Sequence, residues 1–335
     1  MSTQRSTAET SEPITSGTRS TLVDIVKGIA IILVVFGHTL QGAIHRGWGT
    51  GSRVFFTDDF IYSFHMPAFF FVAGLFVIGS IRKRGPAHFT VDKVKTILYP
   101  YALWGTVFAV LSPFLVYFAA TPRPFLWKVF LVGLLEGNEG WFLYTLFFCL
   151  LLAMLTVRLP HWLRFVSALI ISLCVPFSTL IPYEILREFC FLAAGMWVGN
   201  TIFRLERLQK ARAALGLILF LAIQFLAIRL YGPPGRWSFV ALGLTGTCLL
   251  FFAARVLEKH QLGNALAWIG RASLAVFLMS AFGQITTRAI LLKVFHTNNL
   301  WLQLLLPTAF ATLLPAIVWY QQDRWRLGWL FRWPL

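Results

Sequence analysis

An all-α, polytopic membrane fold is predicted from three observations. Hydrophobic residues make up 58% of the 335 and charged residues only 13%, about half the charged share usual in a soluble domain. That much apolar surface exceeds what one globular core encloses, whereas a bilayer accommodates it. The apolar residues also come in runs near the length of about 20 that a helix needs to cross hydrocarbon. Between the runs lie short basic segments, the distribution expected of membrane orientation signals.

The runs place ten spanning helices, at residues 24–44, 60–80, 97–119, 141–158, 162–180, 184–203, 211–231, 237–256, 266–292 and 300–322. Pro176 and Pro182 are expected to shorten or kink the fifth and sixth. Residues 1–20 are Ser/Thr-rich and lack the apolar stretch of a cleavable signal, so they read as a disordered cytoplasmic tail. Residues 21–322 form the transmembrane domain, and 323–335 a basic cytoplasmic tail. With the N-terminus inside, 20 of the 29 Lys and Arg residues fall in cytoplasmic loops and adjacent helix ends. That asymmetry predicts both termini inside and an even number of spans. The net charge of +16 is dispersed rather than gathered into a patch or tail, which argues against nucleic acid as a partner. Cys149, Cys174, Cys190 and Cys248 all lie inside apolar runs, without metal-ligand spacing, and read as packing residues.

Chemistry concentrates in the first span, Asp24-Ile-Val-Lys27-Gly-Ile-Ala-Ile-Ile-Leu-Val-Val-Phe-Gly-His38. An ionisable side chain near the bilayer centre costs about 2.5–3.5 kcal/mol or more, so three in one helix call for an explanation. At about 100° per residue, Lys27 and His38 fall within about 20° of one face and roughly 16–17 Å apart along the axis. Asp24 lies on the same stripe, which Gly28, Ile31, Val35, Gly42 and His45 continue. The two glycines leave room for close approach by another group. The separation suits a long, narrow donor such as cytoplasmic acyl-CoA, with phosphates near the basic helix end and the thioester near His38. An imidazole is well matched to taking a hydroxyl proton near neutral pH. The same residues also read as an interfacial charge pair and a hydrogen-bonded packing histidine, and the first span alone leaves both open.

In the second span, Phe64-His65-Met66-Pro67 places His65 before a proline-containing helix start. Antiparallel neighbours would bring it to the membrane level of His38. A metal site needs more ligands than this pair, and none is predicted. Glu184, Arg187 and Glu188 have helical spacing and read as a local salt bridge. Asp58 and Asp59 read as solvated loop charges.

Taken together, Asp24-x-x-Lys27-Gly28-x-Ala30, Val34-Val35-x-Gly37-His38 and Phe64-His65-Met66-Pro67-x-Phe69-Phe70-Phe71-x-x-Gly74 resemble acyltransferase family 3, most closely its fucose 4-O-acetylase-like branch. Further similarity runs through Lys93-Val-Lys95 to Tyr99-Pro100-Tyr101, Trp141-Phe142-Leu143, Phe191-Leu-Ala-Ala-Gly195-Met196 and Gly270-Arg-Ala-Ser273-Leu274-Ala-Val-Phe277-Leu278. The resemblance implies a ten-helix enzyme of the bacterial inner membrane that moves an acetyl or other acyl group from cytoplasmic acyl-CoA. Its acceptor would be a hydroxyl of a cell-surface carbohydrate, polysaccharide or glycolipid precursor. His38 matches the family's essential first-helix histidine. Lys27 stands where many members carry Arg, keeping the charge without the bidentate fork. Ala73 replaces a usual Ser, and Ser280 stands where a His often follows the Ser-Leu segment, which bears on acceptor specificity.

The expected assignment follows. His38 and His65 are catalytic, the first as base and the second as orienting or polarising group. Asp24, Lys27, Lys93 and Lys95 bind the donor, with Asp24 holding Lys27. Glu139, Trp141 and Arg288 bind the acceptor. No permanently bound cofactor is expected, acyl-CoA being a co-substrate. A membrane carrier or flippase for a glycolipid or organic anion is the alternative that ten spans and a charged stripe also permit.

Overall fold

The computed structural model describes residues 20–48, 51–115, 140–176, 181–199 and 236–334, with four positions between 218 and 226. The expected seventh span (211–231), most of residues 1–20 and Glu139 therefore lie essentially outside the described residues. The described residues are helical and contain no strand. The helices, numbered in order, are α1 Thr21–Ile44, α2 Ser52–Tyr62, α3 His65–Arg84, α4 Pro86–Lys93, α5 Tyr99–Leu115 and α6 Trp141–Leu155. They continue with α7 His161–Cys174, α8 Ile181–Val198, α9 Arg236–Leu257, α10 Gln261–Arg271, α11 Ser273–Lys293 and α12 Leu300–Gln321. Among the described residues, six helical stretches are long and apolar enough to cross a membrane: α1, Val54–Arg84, Pro86–Leu111, Ser238–Leu257, α11 and α12. The apolar helices α6 and α7 are shorter. Helix α8 has sufficient length but carries Glu184, Arg187 and Glu188 within its 18 residues.

Two expected spans are divided. The second breaks at Ser63 and Phe64, where Phe64 takes φ −141° and ψ −18° and the Ser63 hydroxyl donates to the Phe60 carbonyl at 2.7 Å. His65 then opens α3, so Pro67 occupies its first turn, where no amide is needed for an intrahelical bond. The expected ninth span divides at Ala272 into α10 and α11. The expected third continues instead back to Pro86 through a π-turn at Val94–Leu98. Gly85 (φ +77°) makes the α3–α4 corner, a left-handed backbone that glycine adopts without penalty. Asp58, expected in a solvated loop, lies half-buried in α2, because the helix starts as early as Ser52.

Helix α1 stands at the centre, packed on α2, α3, α9, α10, α11 and α12. Its crossing with α10 is backbone on backbone: a side chain on Gly28 would strike the Leu266 carbonyl, and one on Gly270 the Asp24 carbonyl. A similar approach joins Gly74 of α3 to Gly195 of α8. Arg164, one of the 20 basic residues that the sequence places on the cytoplasmic side, is 1% exposed. It donates to the Thr156, Val157 and Leu159 carbonyls at 2.9–3.0 Å, satisfying acceptors left over at the end of α6. The C-terminal segment folds back on the helices: Trp104 Nε1 donates to Leu330 O at 2.8 Å, Trp333 N to Lys95 O at 3.1 Å, and Phe331 is 3% exposed.

Candidate functional site

The α1 stripe begins with Asp24, whose carboxylate lies 3.1 Å from Lys27 Nζ. Asp24 is buried and Lys27 partly so, a pairing that offsets much of the penalty of a charge away from water. The Gly28–Gly270 crossing fixes α1 against α10 at this level.

Eleven residues on, His38 is exposed although Gly37 and Thr39 beside it are buried. Its Nδ1 lies 3.0 Å from the Tyr62 hydroxyl. Tyr62 is the last residue of α2, and the break behind it turns the ring toward two histidines at once. It lies 6.0 Å, edge to face, from His38 and 4.8 Å, edge to face, from His65. The His65 Nδ1 donates to the Ile61 carbonyl. A carbonyl only accepts, so that bond places the proton on Nδ1 and leaves Nε2 the lone pair of the neutral ring. His65 is fully buried, and its Nε2 has no partner among the described residues. His38 and His65 are thus brought together through Tyr62, a residue sequence reasoning passed over. Its only signal was a hydroxyl-bearing ring three residues ahead of His65.

Near the far end of α1, Gln284 of α11 donates to Val35 O at 2.9 Å and Arg288 to Thr39 O at 2.8 Å. The Arg288 guanidinium fills the space over Gly42 and lies 5.9 Å from the Trp48 ring centre. Gln41 donates to Asp58 at 3.4 Å. Both stripe glycines are therefore points of close approach, one to a helix backbone and one to a guanidinium.

Lys93 and Lys95 belong to another part of the bundle. Asp92 pairs with Arg84 at 2.7 Å, Lys93 at 3.4 Å and Arg332 at 3.5 Å. Beside this hub is a recess of about 400 Å³ lined by Arg84, His88, Val91, Asp92, Lys95 and Arg332. Lys93 turns instead over the Phe89 ring at 5.3 Å. Trp141 opens α6, half-buried and edge-on to Phe142. Phe142 in turn packs on Phe69, Phe70 and Phe277. In α8, Arg187 pairs with Glu184, and its Nε stands 3.7 Å from Glu188, the local ion pair expected. Ser280 is buried, its hydroxyl 3.4 Å from the Phe277 carbonyl of its own helix. Among the described residues no three metal-ligating side chains cluster.

The arrangement combines an accessible imidazole with its second nitrogen held by a phenol, an adjacent buried histidine of defined tautomer, and basic groups at both ends of the central helix. It is suited to moving a proton at the His38 ring while anionic groups are held elsewhere.

Residues 21–320 match the family described as an acyltransferase domain. The chain is 30% identical over 203 residues to nodulation protein NolL of Sinorhizobium fredii, covering 55% of this chain and 50% of that protein. It is 28% identical over 167 residues to nodulation protein NolL of Mesorhizobium japonicum, covering 48% of this chain and 43% of that one. The chain thus spans about half the length of the curated relatives it matches. No solved structure matches.

Proposed function

The chain belongs to the acyltransferase family whose domain its residues 21–320 match, and from that premise we propose that it moves an acetyl or other short acyl group from acyl-CoA to a hydroxyl of a cell-surface carbohydrate or glycolipid precursor. The observation that carries this reading is the accessible His38 ring, oriented by Tyr62 and backed by His65. In the proposed topology ten helices span the bacterial inner membrane and both termini are cytoplasmic. Lys27 and the Arg84–Lys95–Arg332 recess then lie on the donor side, and Arg288 on the acceptor side.

The CoA phosphates are held by Lys27, positioned by Asp24, and by the basic recess with Lys95. Lys93, already engaged by Asp92 and Phe89, contributes mainly to the local field. The acceptor oxygen attacks the thioester carbonyl carbon as its proton passes to His38 Nε2. The resulting imidazolium keeps its Nδ1–H on the Tyr62 oxygen. The C–S bond breaks, and the departing thiolate takes the proton from His38 as free CoA. The buried His65 ring, anchored to the Ile61 carbonyl and packed edge to face on Tyr62, holds the phenol in place. Glu139 and Trp141 are assigned to the acceptor.

The test is acetyl-CoA turnover by the purified protein in nanodiscs, with deoxysugar and glycolipid acceptors. Acceptor-dependent CoA release is expected, and Lys27→Gln should raise the KM for acetyl-CoA about 10-fold or more, as loss of a charge-assisted contact does. Lys27→Arg should restore it. Acceptor movement across the bilayer without CoA release would replace this reading with a carrier. Tyr62→Phe removes one hydrogen bond to an imidazole that becomes charged, worth about 1.5–3 kcal/mol. A fall of about 10–100-fold in kcat with little change in donor KM is expected. An unchanged kcat would remove Tyr62 from the mechanism.

A further inference from the structure

Gln284 and Arg288 stand one turn apart on α11 and donate to α1 carbonyls one turn apart. The neutral Gln284 contact needs nothing more. Arg288 is different: the residue is 7% exposed, its guanidinium donates to Thr39 O and faces Trp48, and its Nε has no partner among the described residues. Among the described residues no carboxylate oxygen lies within 4.0 Å of it. Arg46 places a second guanidinium 5.6 Å from the same indole centre. A carbonyl and a ring face orient a guanidinium but do not neutralise it, and an unneutralised charge at membrane depth is costly. The space for it is built in, because any side chain at Gly42 would strike Nη1. The site also adjoins the reaction centre. Thr39 follows His38, and Gly42 lies about 6 Å further along the helix axis, comparable to the breadth of one sugar ring.

We propose that Arg288 receives an acidic group carried by the acceptor, a carboxylate or phosphate about one sugar ring from the hydroxyl that reacts, with Arg46 and Trp48 forming the rest of the site. The proposal rests on the acyltransferase reading for the meaning of "acceptor". The acidic group supplies the countercharge that the described residues do not, and a planar guanidinium matches either oxyanion bidentately. The acceptor class is thereby narrowed to acidic carbohydrates: uronic acids if the carboxylate is preferred, sugar phosphates or phosphate-linked glycolipids if the phosphate is.

Equilibrium binding of methyl glucoside, methyl glucuronide and glucose 1-phosphate to the full chain in nanodiscs tests this. At least one acidic probe should bind 10-fold or more tighter than the neutral sugar and weaken as salt rises. Arg288→Gln should abolish that preference and Arg288→Lys retain part of it. If Arg288→Gln does not fold, Arg46→Gln and Trp48→Leu should each reduce the preference. Equal or undetectable binding of all three probes by wild type, or a preference surviving in the variants, overturns the proposal. So does a variant that is only less stable, since a purely structural arginine predicts that result. CoA release on the same samples separates the two readings. Acidic preference without turnover keeps the anion site and sinks the acyltransferase, whereas turnover on neutral sugars alone does the reverse.

Discussion

Replacing His38 with Ala is expected to lower the rate of acyl transfer by about 10²–10⁴-fold, the usual contribution of a positioned general base. Binding of acetyl-CoA should be nearly unchanged. His38 is exposed and, among the described residues, its ring bonds only to the Tyr62 hydroxyl, so truncation removes little packing, and stability should stay within about 0.5 kcal/mol of wild type. The measurement is single-turnover CoA release beside a thermal unfolding curve on the same preparation. A folded variant that keeps wild-type turnover would make His38 a packing residue and leave the chemistry to be found elsewhere. His65→Ala should behave differently. His65 is fully buried and tied to the Ile61 carbonyl, so its loss combines a cavity with a freed acceptor and is expected to lower stability as well as rate.

The largest expected effect on stability comes from Gly270→Val. A Cβ at this position would fall on the Asp24 carbonyl oxygen and close to the Gly28 amide. Those are backbone atoms, which have no rotamer to change, so the two helices must separate along α1. Overpacking of this kind costs about 1–3 kcal/mol where side chains can yield, and the upper end or beyond is expected here. Separation would also shift Asp24 and Lys27, so the surviving folded fraction should bind acetyl-CoA more weakly. Gly79→Ala is the control: nothing among the described residues lies within 4 Å of a Cβ there, and unfolding should be unaffected or slightly delayed. If Gly270→Val melts with wild type, the close crossing of α1 and α10 is wrong.

Much of this was legible because it is local. A run of apolar residues announces a helix wherever it packs. Lys27 and His38 share a stripe because the helical period places them there, and the Asp24–Lys27 pair needs only a spacing of three. Elements decided by neighbours were hidden. The break at Ser63–Phe64 interrupts an apolar stretch that shows no gap, and Ala272 is as good a helix former as its neighbours. Asp58 looked like a loop charge because nothing in its own segment marks α2. Arg164 looked like an orientation signal, yet it serves the open carbonyls at the end of α6.

The candidate site divides the same way. The sequence by itself determined that the chain partitions into a membrane, that one helix carries an acid, a base and an imidazole on one stripe, and that motifs resembling one family recur in order from Asp24 to Leu278. These follow from composition, period and spacing. Only the tertiary structure decided that Tyr62 joins the two histidines, that Arg288 settles over Gly42 with no carboxylate beside it among the described residues, and that Lys95 and Arg332 share a recess while Lys27 sits at a different crossing. Each of those depends on where one helix breaks or how closely two backbones approach, and such distances are set by packing between segments far apart in the chain.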